Sequence, residues 1–175
     1  MGGSAPRVGR GGGGVAGVKH LPPEREAGAS SPWPFDRKRY TRRLQLHLPS
    51  SRAALDHAVD RVLEQAQHCG CSDDSQADLE IALREALANA IIHGNGGEEH
   101  RQVFLRSYGA PGLGVLVAVR DDGEGFDPEE VPDPRDADRM HLHHGRGLFL
   151  MRELMDWVEY RKNGREAVFF KSLER

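Results

Sequence analysis

The chain is poor in cysteine and has no long apolar segment. Only two cysteines occur among its 175 residues, Cys69 and Cys71. This pair supplies neither a disulfide framework nor four metal ligands, so we expect reduced thiols and a cytoplasmic protein. No apolar run approaches the roughly 18 residues that a membrane helix needs, and no apolar stretch near the start indicates a secretory signal. The sequence therefore predicts a soluble protein with no membrane contact.

The first 39 residues differ in composition from the rest. Residues 1–17 include eight glycines, and prolines 22, 23, 32 and 34 follow. Such a segment buries too little apolar surface to offset the entropy lost on ordering. We predict a disordered Gly/Pro-rich basic tail over 1–39 and a folded domain over 40–175. The tail could contact nucleic acid, fold over its own domain or be solvated, but its basic cluster is too short to favour direct nucleic-acid binding.

Two periodicities alternate along the domain. Apolar residues recur with helical spacing in three segments, from about 51 to 68, from 73 or 74 to 94, and from 146 to 155. Ser50 and either Asp73 or Asp74 are the expected N-caps of the first two. Strand patterns lie at 40–48, 103–108, 113–120, 157–161 and 167–171. These elements predict a two-layer α/β sandwich, with a mostly antiparallel sheet and helices on one face.

The second helix is the most informative. Glu85, Asn89 and His93 stand four residues apart and are therefore neighbours on one face, beside an apolar stripe that would be buried. On an isolated helix, Glu85 and Asn89 would more often be an ordinary surface pair. The helix by itself does not identify a site.

Two glycine-containing segments follow. DDGEGF at 121–126 comes directly after an apolar strand and, taken alone, is also a hairpin-turn signal. Gly145, Arg146 and Gly147 open the last helix and alone could be a hinge. Residues 127–144 between them are polar, and a loop of this length in a compact domain is usually functional. The order of the three segments is more specific than any one of them.

Together these segments resemble the N box and the two glycine boxes of the GHKL (Bergerat) ATP-binding fold, shared by gyrase, heat-shock-ninety chaperones, histidine kinases and mismatch-repair ATPases. Within that fold, EALANAIIHG at 85–94 and GRGLFLMR at 145–152 are most similar to bacterial anti-sigma factors that are also serine protein kinases. The resemblance spans about residues 40–172. It implies ATP and Mg²⁺ as cofactors, a sigma factor and an anti-anti-sigma (STAS) protein as partners, and a homodimer.

The resemblance also implies roles for residues of the first two segments. It places Glu85 beside the γ-phosphate as general base and assigns Asn89 to Mg²⁺, for which a neutral side-chain oxygen is suitable. Asp121 is expected to accept a hydrogen bond from the adenine amino group. Gly123 and Gly125 would let the backbone approach the ring.

The last segment is expected to bind phosphate, because backbone amides at a helix N-terminus favour anions. The residues concerned are Gly145, Arg146, Gly147 and Leu148, although the Arg146 side chain could equally face solvent. Residues 127–144 would form a lid over the nucleotide.

Several histidines have less defined roles. His93 is expected at the pocket rim or packed against the helix end. His141, His143 and His144 suggest either a zinc site or, more in keeping with the absence of other nearby ligands, a lid whose charge changes near neutral pH.

Three function hypotheses follow. The first is an ATP-dependent anti-sigma serine protein kinase that binds a sigma factor and phosphorylates a serine of a STAS partner. The second is a nucleotide-gated protein-binding module without significant turnover. The third, a sensor histidine kinase domain, is disfavoured because a glycine-rich tail occupies the place of the expected phospho-acceptor hairpin. The sequence does not distinguish serine from water as phosphoryl acceptor.

Overall fold

The structure is a computed structural model that describes residues 39–127 and 146–173. Its strands form one sheet in the order β1-β2-β3-β5-β4, and every neighbouring pair is antiparallel. The strands are β1 (Arg42–Pro49), β2 (Gln102–Ala110), β3 (Gly114–Arg120), β4 (Trp157–Arg161) and β5 (Glu166–Ser172). The predicted antiparallel sheet is confirmed. The predicted tail over 1–39 lies almost wholly outside the described residues and stays a prediction.

The helices are α1 (Arg52–Cys69), α2 (Asp73–Ala88) and α3 (Arg146–Leu154), and a short π-helix (Asn89–Gly94) continues α2. The predicted helix does end at Gly94, but its last six residues form wider π-type turns that the sequence pattern did not indicate. Wider π-type turns occur mostly as single insertions in α-helices and often at functional sites. Here the change begins at Asn89, one of the predicted site residues.

Serines cap the first two helices. Ser51 accepts a hydrogen bond from the Ala54 amide at 3.4 Å, and Ser72 accepts one from the Ser75 amide at 3.2 Å. The predicted caps were wrong by one or two positions. Ser50 is instead buried and donates to the Arg101 carbonyl at 3.1 Å. The two aspartates 73 and 74 lie inside the first turn of α2, where negative charge is favourable to the helix dipole.

The main core lies between the sheet and the helices. It includes residues of all three α-helices together with Val117 and Phe169 from the sheet, whereas Leu116, Ala118 and Phe170 belong to a smaller apolar cluster on the opposite face. Successive residues of a strand point to opposite faces, so β3 contributes to both clusters in turn. This accounts for its nearly continuous apolar sequence and confirms that it is a central strand with the helices on one face.

Two further expectations concern the cysteines and membrane-spanning helices. Both cysteines are buried free thiols. Over residues 39–127 and 146–173, no helix is long and apolar enough to cross a membrane. The core that contains both thiols also includes Leu87 at the C-terminal end of α2, Val119 near the end of β3 and Met151 of α3.

Candidate functional site

Helix α2 presents two polar side chains beside its buried stripe. Leu83 and Leu87 are fully buried in the core, while Glu85 and Asn89 are half-buried at the helix edge. Because Leu83 and Leu87 fix the rotation of α2, they also fix the direction of the polar edge. The backbone amide of Asn89 bonds the carbonyls of both Glu85 and Ala86, as in a regular last turn of an α-helix. The wider i→i−5 bond is made at the other end of the π-helix, where the Asn95 amide donates to the Ala90 carbonyl at 2.8 Å.

The first turn of α3 packs on this polar edge. Gly147 is buried, and a methyl group placed on it would lie 2.5 Å from Oε2 of Glu85 and 3.4 Å from Nδ2 of Asn89. Arg146 is exposed and Leu148 is half-buried. The structure therefore brings the second glycine segment together with Glu85 and Asn89, which lie about sixty residues earlier in the chain.

Asp121 follows β3 directly and is 8% exposed. Its Oδ1 accepts a hydrogen bond from the Gly123 amide at 2.8 Å, and its own amide donates to the Arg165 carbonyl at 3.1 Å. Burial raises the pKa of the Asp121 carboxyl above its ordinary value, and the Gly123 hydrogen bond opposes this rise. A buried carboxyl that is held by one oxygen keeps the remaining acceptor capacity for a ligand.

The first glycine segment packs against the end of the π-helix. A methyl group on Gly94 would lie 2.6 Å from both carboxylate oxygens of Asp121, and one on Gly123 would overlap the Gly94 carbonyl oxygen. Two glycines thus allow the backbones to meet here. The first segment thereby joins the same region as the other two.

The turn between β4 and β5 forms the next wall of this region. The Phe126 amide donates to the Asn163 carbonyl at 3.0 Å, and a methyl group on Gly125, whose φ is +88°, would overlap that same carbonyl. Asn163 itself has a φ of +58°, a left-handed conformation that asparagine tolerates better than most residues. Gly123 and Gly125 are thus needed for contacts inside the protein, and their approach to adenine stays a prediction.

Other predicted residues are less closely engaged or lie outside the described ranges. His93 is exposed on the π-helix. Residues 128–145 fall outside the described part of the chain. They include Gly145, histidines 141, 143 and 144, and nearly all of the predicted lid at 127–144. Their expected roles stay predictions.

Asn95 is a buried polar residue next to the site that the sequence did not reveal. It is fully buried, its Nδ2 donates to Ser50 Oγ at 2.9 Å and to the Gln102 carbonyl at 3.0 Å, and its Oδ1 accepts from the Asp122 amide at 2.9 Å. In sequence it stands in Gly94-Asn-Gly-Gly97, a pattern typical of a turn. Nothing in that pattern indicates a buried amide with three partners.

A magnesium ion is compatible with the donors of this site. Within the described part of the chain, no group of three or more His, Cys, Asp or Glu side chains is placed to hold a metal. Mg²⁺ usually keeps several waters and binds through few protein ligands plus substrate phosphates. A single amide oxygen from Asn89 fits that pattern better than a dedicated protein cage would.

The comparison with known families decides the assignment. A family model described as the histidine kinase-like ATPase domain matches residues 48–171. The chain belongs to this family. All three segments of the site lie within the matched range, and the predicted GHKL-type fold is confirmed.

Within this family, the chain is similar to named serine-protein kinases and to an anti-sigma factor. The serine-protein kinase RsbW of Listeria innocua is 34% identical over 116 residues, which cover 61% of this chain and 71% of that protein. RsbW of Oceanobacillus iheyensis is 30% identical over 100 residues, covering 54% and 63%. The anti-sigma F factor of Oceanobacillus iheyensis is 28% identical over 88 residues, covering 49% and 60%. These relatives confirm the predicted resemblance to serine-kinase anti-sigma factors.

Proposed function

We propose that this chain is a serine protein kinase that binds Mg²⁺-ATP between α2, the segment after β3 and the start of α3. Its phosphoryl acceptor is a serine of an anti-anti-sigma (STAS) protein, and its second partner is a sigma factor. The observation that carries the proposal is the contact of Gly147 with Glu85 and Asn89, since it joins a helix N-terminus to a carboxylate and an amide.

The phosphate end of the site is the first turn of α3. The backbone amides of the first turn of α3, from Arg146 to Leu148, lie at the positive end of the helix dipole, which favours phosphate oxygens. Gly145, the residue before this turn, is proposed to bind phosphate with them. Asn89 would hold Mg²⁺ through its side-chain oxygen, and the metal would offset the negative charge of the phosphates. The exposed guanidinium of Arg146 adds positive charge at the same end.

The adenine end of the site is Asp121. Its carboxylate accepts a hydrogen bond from the adenine amino group, with Gly123 and Gly125 beside the ring and His93 at the rim. Asp121 is buried, so water competes weakly for its oxygens, and a hydrogen bond to a charged group contributes about 1.5–3 kcal/mol. This contact favours ATP over GTP, which carries a carbonyl at the corresponding ring position.

Glu85 is proposed as the general base. Its carboxylate takes the proton of the acceptor serine hydroxyl while that oxygen forms a bond to the γ-phosphorus. The bond from the γ-phosphorus to the β–γ bridging oxygen breaks, and ADP leaves with the electron pair. The contact of Gly147, in the proposed phosphate-binding turn, with the Glu85 carboxylate supports this role.

The partners rest on the names of the relatives. Several are serine-protein kinases and one is an anti-sigma factor, which supports a kinase that also restrains a sigma factor. A homodimer and a cytoplasmic location belong to the same proposal, as does the folded unit over 40–175.

The deciding experiment incubates the full-length chain with Mg²⁺, γ-labelled ATP and purified STAS domains. We expect label on a serine of one STAS domain, a loss of about 10²–10⁴ in rate for Glu85→Gln, and little change for Glu80→Gln. The control removes a carboxylate from the same helix, one that pairs with Arg84 at 2.9 Å. Transfer at the wild-type rate by Glu85→Gln would remove Glu85 as the base.

Nucleotide binding without any transfer would instead support the alternative, a nucleotide-gated binding module. Asn89→Ala separates metal binding from chemistry, since it should weaken Mg²⁺-ATP binding itself. Unchanged affinity in that variant would overturn the metal role.

A further inference from the structure

The most connected polar side chain near the site is one without an assigned role. Asn95 follows the π-helix, and its three side-chain hydrogen bonds reach the β1–α1 junction at Ser50, the start of β2 at Gln102 and the residue after Asp121. Its own amide donates to the Ala90 carbonyl at 2.8 Å. One residue thus connects four segments of the chain. Its bond to Ser50 is buried, and its bonds to Gln102 and Asp122 are partly buried.

These bonds connect the two ends of the candidate pocket. On one side, the Asn95 backbone closes the π-helix that begins with Asn89 and continues the helix of Glu85. On the other side, Oδ1 holds the Asp122 amide, directly after the carboxyl that faces Gly94. Asn95 therefore links the end of the helix that carries Glu85 and Asn89 to the segment that follows Asp121.

We propose that Asn95 is a positioning residue for base recognition, and that it holds the Asp121 carboxyl at the distance from Glu85 and Asn89 that an adenine nucleotide spans. This inference rests on the proposed function. Asn95 touches neither the phosphates nor the base, and it acts through the Asp121–Gly123 segment.

An amide is suited to this position for a simple chemical reason. Asn95 must donate two hydrogen bonds to oxygens and accept one from a backbone amide, and the asparagine side chain has two donors and one carbonyl oxygen. Aspartate retains the acceptor but loses both donors. Alanine loses all three bonds and leaves the Asp122 amide without its partner.

The test compares three variants of the full-length chain. Mg²⁺-ATP and Mg²⁺-GTP affinities are measured for Asn95→Ala, Asn95→Asp and Ser50→Ala, with melting temperatures for each. Ser50→Ala is the matched control, because it removes a partner of Nδ2 while the bond from Oδ1 to the Asp122 amide remains. We expect Asn95→Ala to lower the ratio of ATP to GTP affinity about tenfold, and Ser50→Ala to lower stability without changing that ratio. Asn95→Asp, which keeps the acceptor, should retain most of the ratio.

Each outcome has a distinct meaning. If the wild-type chain binds no ATP, the proposed function fails. If the wild-type chain binds ATP and Asn95→Ala keeps the same ratio, the proposed function stands and the role of Asn95 is overturned. A ratio that falls equally in Ser50→Ala also overturns it, because the effect would then be general loosening of the fold.

A measurement on the wild-type chain covers the case in which Asn95→Ala does not fold. The Asp122 amide should exchange its hydrogen with solvent at least tenfold more slowly than the amide of exposed Glu124, and binding of ATP should slow it further. An Asp122 amide that exchanges as fast as that of Glu124, with and without nucleotide, would show that Asn95 does not hold this segment.

Discussion

Lys171 and Asp78 form a buried ion pair that joins β5 to α2. Their Nζ and Oδ2 atoms are 2.8 Å apart, the side chains are only 5% and 13% exposed, and Nζ also donates to the Leu154 carbonyl at 2.9 Å. The pair therefore connects the sheet to α2 and to the end of α3, the two helices that meet at the candidate site.

Removing one member of this pair should be strongly destabilising. We expect Lys171→Met to lower the free energy of unfolding by about 3–5 kcal/mol, because the largely buried Asp78 carboxylate would lose the ammonium group that offsets its charge. Chemical denaturation followed by circular dichroism measures the change. The exposed pair of Arg61 and Glu64, 3.4 Å apart, is the control, and Arg61→Ala should cost less than about 1 kcal/mol. Similar losses in the two variants would contradict the prediction.

The contact between Gly147 and Glu85 predicts a second result. Gly147→Ala should weaken ATP binding at least tenfold, since the new methyl group must displace the Glu85 carboxylate or the first turn of α3. Calorimetric titration measures the affinity. Overall helix content should be unchanged, because alanine is a better helix former than glycine.

A paired variant makes that prediction specific. Glu85→Ala shortens the side chain that meets the new methyl group, so Gly147→Ala with Glu85→Ala should bind ATP more tightly than Gly147→Ala alone. Phosphoryl transfer should stay lost, because the proposed base is absent. If the second substitution brings no recovery of binding, steric overlap at Glu85 is not the cause.

Asp121→Asn should raise stability while it weakens ATP binding. Burial raises the folded-state pKa of this carboxyl, so the folded protein binds more protons than the unfolded chain between pH 3.8 and the folded-state pKa. Stability is therefore lost as the pH rises through that window and stays lower above it. The Asp121→Asn variant has no charge to bury at this position. Its melting temperature should therefore exceed that of the wild-type protein at pH 7 but not at pH 3.5.

The same substitution should reduce ATP affinity about tenfold or more, because the adenine amino group would lose a charged acceptor. Loss of ATP affinity together with unchanged GTP affinity is the expected pattern. Equal losses for both nucleotides would place Asp121 away from the base.

Cys71, which is not one of the site residues, predicts how the stability of the fold depends on pH. Burial, with a smaller contribution from the neighbouring Cys69, raises the Cys71 pKa to about 11. The unfolded thiol ionises near pH 9.0, so stability should be present below that pH and fall as the pH rises towards 11. Cys71→Ala should flatten the decline between pH 9 and 11. A thiol reagent at pH 8 should label the native chain slowly and the urea-unfolded chain quickly.

The sequence predicted the elements of this fold well because their apolar periodicities are strong. β3 is apolar on both faces and α2 carries a continuous stripe, and both lie where they were expected. The predicted helix caps failed at Ser50, since cap identity depends on which of two adjacent serines the tertiary structure draws inward. Ser50 is drawn towards Arg101 and Asn95, which are about fifty residues distant.

The candidate site was predictable only in part for the same reason. Glu85, Asn89 and Asp121 stand in recognisable local patterns. Asn95 does not, because its three partners come from three other segments and no local rule joins them. The turn at 162–165 was expected only as a hairpin, and its contacts with Asp121 and Phe126 arise from the order of β3, β5 and β4 in the sheet.

That turn has a consequence for nucleotide choice. The carbonyls of Arg165 and Asn163 accept hydrogen bonds from the amides of Asp121 and Phe126, the two ends of the first glycine segment, from a hairpin some forty residues downstream. Adding or deleting one residue there should shift the adenine end of the cleft while the triphosphate end keeps its shape. Changing the length of the turn at 162–165 is therefore a way to alter the preference for adenine without changing any residue of the three motif segments.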